Sequence, residues 1–71
     1  MPLVEVKVFE DELTPAQTKE LIQRITEAIA TITSEKLRDV TWVMVNEVKS
    51  GNWGVGGKAL GLEDVRKIIS N

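Results

Sequence analysis

Val40-Thr41-Trp42-Val43-Met44-Val45-Asn46-Glu47-Val48 is the stretch on which the fold turns. At the two-residue period of a strand it splits into Val40, Trp42 and Met44 on one side and Thr41, Val43 and Val45 on the other. Both sets are largely uncharged, Glu47 being the one charge in the stretch, so a strand over Val40 to Val48 needs cover on both faces. Outward from it, toward the amino terminus, Leu21, Ile22, Ile25, Ala28, Ile29 and Ile32 recur at steps of three and four. That is the apolar stripe of a helix running to about Thr33, with Lys19, Glu20, Gln23, Arg24 and Glu27 filling most of its other side. Its start is marked by Thr14 as cap, Pro15 in the first turn and Gln17 closing a capping box.

Further back, Leu3 to Phe9 alternates again, with Val4, Val6 and Val8 opposite Leu3, Glu5, Lys7 and Phe9. A strand, a crossover helix and a second strand make a βαβ unit with two parallel strands and a right-handed connection. One helix covers one sheet face. The other, carrying Trp42 and Met44 or their opposites, must then meet another subunit, because a two-sided apolar sheet is not tolerated in a soluble monomer. The expected fold is therefore α/β (α+β), a βαβ subunit assembled as an oligomer.

On the carboxyl side, Ser50, Gly51, Asn52 and Trp53, then Gly54, Val55, Gly56 and Gly57, form a turn-rich segment suited to a small hairpin or to a loop pressed against another backbone. Leu62 to Ile69 reads as a short terminal helix with Leu62, Val65, Ile68 and Ile69 as its apolar set and Gly61 as a weak cap. There is no repeat, linker or low-complexity stretch, so residues 1–71 form a single domain.

The 71 residues bury only about 60% of their unfolded surface, which leaves a lone monomer marginal. With no Cys and no His, disulfides, thiolate nucleophiles, ordinary zinc sites and imidazole-based triads are excluded, and oligomerisation is the remaining staple. A formal charge of −2 with interspersed signs gives no basic stripe for nucleic acid. No apolar run approaches the roughly 18 residues of a membrane span, and no signal-peptide pattern opens the chain. A soluble cytoplasmic protein is expected.

Pro2 carries the one distinctive chemistry. Removal of Met1 leaves a free secondary amine, a usable base or nucleophile; with Met1 attached, the same nitrogen is an imide without basicity. Pro2 heading a strand, the helix opening Leu13-Thr14-Pro15-Ala16-Gln17, and Glu47 leading through Ser50-Gly51-Asn52-Trp53 to Gly54-Val55-Gly56-Gly57 coincide in order along nearly the whole chain. Together they resemble the 4-oxalocrotonate tautomerase family.

The resemblance implies a βαβ subunit whose sheets pair into dimers, with three dimers forming a homohexamer. It also implies keto-enol proton transfer on a small 2-oxo acid or enol substrate, with Pro2 as general base and without cofactor or metal. In other branches the proline is a general acid in hydratase, dehalogenase or decarboxylase-like chemistry. Desolvation in an apolar pocket lowers an amine's pKa and populates the base. The family's two substrate-binding arginines fall at Glu12 and Trp42 in this chain, and its pocket aromatic at Trp53. Arg38, just before the second strand, is the guanidinium placed to stand in, so Arg38, Trp42 and Trp53 are the candidate substrate-binding residues. A carboxylate at Glu12, if close to the Pro2 amine, would favour the cation and acid chemistry.

Each residue also has a plainer role. Trp42 and Trp53 suit an interface as well as a ligand, and Arg38 suits a solvated helix end. The run Glu10, Asp11, Glu12 reads as a solvated turn rather than a metal site, and Gly54, Gly56 and Gly57 as turn geometry rather than a phosphate loop, since Lys58 is followed by Ala59. A non-catalytic assembly subunit is the rival from a different functional class.

Overall fold

The computed structural model describes residues 1–70. Its elements are β1 (Leu3–Phe9), α1 (Pro15–Ile32), a 3-10 helix (Glu35–Val40), β2 (Trp42–Val48), β3 (Trp53–Val55), β4 (Lys58–Leu60) and α2 (Leu62–Ser70). α1 starts where its capping box closes: the Gln17 N–H donates to Thr14 Oγ1 at 3.1 Å and the Thr14 N–H donates to Gln17 Oε1 at 2.9 Å. Pro15 falls in the first turn, where its missing N–H costs nothing.

β1 and β2 pair in parallel, in register from Leu3 with Trp42 to Phe9 with Val48. Partners in such a pair share a face, so Val4, Val6, Val8, Val43 and Val45 form one half-buried side, the side that α1 covers as it packs across β2. The other side holds Leu3, Glu5, Lys7, Phe9, Trp42, Met44, Asn46 and Val48 and is open at its Leu3 and Trp42 end. The only buried apolar residues among those described are Phe9 and Ala30. So thin a core agrees with the marginal stability expected of a short chain.

β3 and β4 form an antiparallel hairpin closed by Gly56 and Gly57, both at positive φ (58° and 83°). Two consecutive left-handed residues are what a two-residue hairpin turn demands, and glycine meets it without strain. α2 is joined to this hairpin: the Leu62 N–H donates to Ser50 Oγ at 3.0 Å, and the Gly61 N–H donates to Asp64 Oδ2 at 2.8 Å. It packs broadly on no other element. The chain is consequently drawn out to 42 × 24 × 20 Å, with a radius of gyration of 14.8 Å, where a compact chain of this length would give about 11 Å.

Three expectations are corrected. The second strand begins at Trp42 rather than Val40, because Ser34 caps a 3-10 helix through the Lys36 N–H (3.2 Å) and that helix consumes Glu35 to Val40. Ala28 and Ile32 lie on the exposed side of α1 and Ala30 lies inside, so the buried stripe is rotated from the one the apolar spacing gave. α2 draws its cap from Ser50, twelve residues away, as well as from the Gly61 to Asp64 turn, a tertiary link that local sequence does not reveal.

Candidate active site

Pro2 stands immediately before β1, half-buried, and its carbonyl accepts a hydrogen bond from the Trp42 N–H at 3.0 Å. That bond extends the parallel ladder by one residue and fixes the chain start against the first residue of β2. Met1 beyond it is 82% exposed and open to enzymatic removal. Beside Pro2, Leu3 (56% exposed), Trp42 (58%) and Met44 (42%) make an uncovered apolar row on the sheet face away from α1. Met44 was expected from sequence beside Trp42 on a sheet face needing cover; what the alternation did not give is Leu3 on that face, which the register supplies by setting Leu3 against Trp42.

Trp53 lies at the opposite end of the sheet. Its ring stacks on Phe9 with centroids 4.8 Å apart and an interplanar angle of 35°, which explains why Phe9 is buried on an otherwise open face. Glu12 belongs to the same end: its Oε1 accepts from the Phe9 N–H at 3.0 Å in the turn between β1 and α1. Phe9 is seven residues from Pro2 along β1, roughly 23 Å at the rise of a strand. Glu12 therefore does not sit beside the Pro2 of its own chain, and neither does Trp53.

Arg38 is committed elsewhere. Its Nε and Nη2 donate to the two carboxylate oxygens of Glu35, both at 2.9 Å, and its Nη1 meets Glu27 Oε2 at 2.7 Å. The guanidinium thus ties the 3-10 helix to α1 as a two-sided clamp. The bond from Arg38 lowers the Glu35 carboxyl from its ordinary value, and the two carboxylates raise that of Arg38. Three of its five N–H donors are thus taken by carboxylates, so a substrate carboxylate at Arg38 would compete with Glu27 and Glu35.

Among the described residues no enclosed cavity is present and no group of carboxylates converges as a set of metal ligands. No helix among them is long and apolar enough to cross a membrane. One chain therefore offers an amine position with an apolar row beside it at one end of its sheet, and an aromatic stack beside a carboxylate at the other.

The sequence profile of the tautomerase enzyme family matches residues 2–63, beginning at Pro2. The chain belongs to the tautomerase family. Among curated relatives of this tautomerase is the probable tautomerase K2 of Dickeya dadantii (strain 3937), 35% identical over 60 residues, covering 84% of this chain and 88% of that one. Two solved structures share the fold: DmpI from Helicobacter pylori, at TM-score 0.72 and 25% identity over 82% of this chain and 94% of that one, and YwhB, described as a homologue of 4-oxalocrotonate tautomerase, at TM-score 0.71 and 28% identity over 82% and 92%. TomN, a 4-oxalocrotonate tautomerase homologue in the tomaymycin biosynthetic pathway, matches at TM-score 0.72 over 93% of this tautomerase and 95% of its own chain; at 24% identity it shows the fold alone.

Proposed function

We propose that this tautomerase moves a proton between the keto and enol forms of a small 2-oxo acid, using the secondary amine of Pro2, freed by loss of Met1, as general base. The observation that carries the reading is the bond from the Trp42 N–H to the Pro2 carbonyl, which holds that residue at the sheet's edge in a chain whose family match begins at Pro2. Apolar neighbours disfavour the charged amine and populate the base at neutral pH. In the ketonising direction the amine takes the proton from the enol hydroxyl, the enolate forms, and the protonated amine delivers that proton to the carbon beside the carbonyl; enolisation is the reverse, and neither direction needs a cofactor.

The working unit in this reading is a cytoplasmic homo-oligomer, assembled as a trimer of dimers. The open face bearing Leu3, Trp42 and Met44 and the outstretched hairpin and α2 support association. Separation of Pro2 from Trp53 supports a pocket at a subunit boundary, where the Trp53 of one chain walls the Pro2 of another. Arg38 remains the candidate anion contact within this proposal, in competition with Glu27 and Glu35.

The test is the ketonisation of phenylenolpyruvate by protein whose Pro2 terminus has been verified by mass, beside Pro2→Ala. The substitution should lower the rate by about 10²- to 10⁴-fold, the usual contribution of a positioned acid or base. Activity should rise with pH as the amine deprotonates. A fall over that range would instead indicate the acid chemistry of a hydratase, dehalogenase or decarboxylase. Equal, negligible rates from both proteins would leave the hydratase-like chemistry or a non-catalytic assembly subunit.

A further inference from the structure

The family match ends at residue 63, in the first turn of α2, so most of that helix is an addition of this chain. Its apolar residues Leu62, Val65, Ile68 and Ile69 fall within about 120° of its circumference. Leu62 and Val65 are half-buried, but Ile68 and Ile69 each stand 75% exposed. The same chain leaves Leu3, Trp42 and Met44 uncovered.

These two surfaces cannot meet within one chain. α2 is anchored at Ser50, just past the end of β2. Trp42 opens that strand, roughly 20 Å back at the rise of a strand. From Leu62 to Ile69 the helix advances only about 10 Å.

Between copies, the charges fit in one orientation. Counted back from its carboxyl end, one ridge of α2 carries Ile69, Arg66 and Glu63 at three-residue steps. The side of β1 away from α1 carries Leu3, Glu5 and Lys7 at two-residue steps. Laid antiparallel to β1, α2 sets Ile69 on Leu3, the Arg66 guanidinium on the Glu5 carboxylate and the Glu63 carboxylate on the Lys7 ammonium. The two arrays span about 9 Å and about 13 Å, a difference that long charged side chains absorb. The reverse orientation would put Ile69 on Lys7 and Glu63 on Leu3. Within one chain Arg66 turns to Glu63 at 3.1 Å, an exposed pair worth little and easily exchanged.

We infer that α2 is an assembly arm whose Ile68 and Ile69 end seats on the Leu3, Trp42 and Met44 face of a second copy of this chain, an inference that rests on the association proposed above and on none of the Pro2 chemistry.

Two measurements test this without turnover. The chain has two tryptophans, so Trp53→Phe leaves Trp42 as sole fluorophore. In protein shown by sedimentation to be assembled, Trp42 should be shielded from acrylamide, and adding Ile68→Glu and Ile69→Glu should shift its emission to the red and raise quenching toward that of the urea-unfolded chain. Trp42 equally shielded with and without the glutamates, or equally exposed, overturns the inference while leaving association intact. Protein that sediments as a monomer overturns both. The second measurement uses the absence of cysteine from the chain. Leu3→Cys and Ile69→Cys proteins, one isotopically labelled, are unfolded and refolded together and mildly oxidised. A disulfide joining labelled to unlabelled chains through these two positions is the expected product. Links only between like chains, or none, overturn the inference.

Discussion

At the residue scale, several positions carry duties that a mutation can isolate. Asp11 is the only non-glycine at positive φ among the described residues (67°), in the turn between β1 and α1. Asp11→Val should destabilise by about 1 to 2 kcal/mol because a β-branched side chain resists that conformation, whereas Asp11→Asn should be near neutral in denaturant unfolding; together they separate backbone demand from charge. Gly61 is held by proximity instead: a Cβ there would lie 3.2 Å from Ser50 Cβ and 3.3 Å from its Oγ. Gly61→Ala should displace the hydroxyl that caps α2 and cost about 1 kcal/mol, visible as faster amide exchange in α2 than in α1. The Arg38 clamp has a pH signature. Because Glu35 has a folded value below its ordinary 4.5, its contribution is complete above that pH and is lost as pH falls through the lowered value. Arg38→Met should remove that acid-side step from the stability profile, and any effect on KM beyond it would mark a substrate role. Of the candidate site, Pro2 stood out in the sequence because its chemistry is unique in the chain. Arg38 was open to a binding role in sequence because nothing in a linear reading brings Glu27 beside it.

At the element scale, the parts whose signals are local were readable. The capping box of α1 is written within four residues, Thr14 to Gln17, and Thr14→Ala should lower stability by about 1 kcal/mol, measurable by thermal or urea unfolding. The parallel pair followed from alternation in Leu3 to Phe9 and the two-sided apolarity after Val40. What escaped was the 3-10 helix Glu35–Val40: its residues Leu37 and Val40 continue an apolar pattern that a strand shares, and its start depends on the Ser34 hydroxyl. The orientation of α1 escaped in part for a related reason. Ala30, weakly apolar and off the Leu21 to Ile32 stripe, is the buried residue of α1, and Ile32, though more apolar, falls on the outward side at the helix end.

At the scale of the whole molecule, the alternation already implied an uncovered sheet face, and the register identifies it as the one bearing Leu3, Trp42 and Met44. The subunit number was not legible from physical pattern, since it depends on angles between copies that no periodicity encodes. If association supplies the missing core, unfolding midpoints should rise with protein concentration, and native mass spectrometry should give six chains, each lacking Met1. A midpoint independent of concentration would mark a self-sufficient monomer.

The span of β1 between Pro2 and the Phe9 and Trp53 stack has a genetic reading. When the amine and the aromatic wall of one pocket come from different chains, two defective alleles are not equivalent to one. Pro2→Ala and Trp53→Ala chains, each inactive or weakened alone, can assemble so that a pocket draws its proline from the second and its tryptophan from the first. Unfolded and refolded together in equal amounts, they should recover about a quarter of the native pockets by random pairing, and a cell carrying both alleles would keep an activity that either alone would lose.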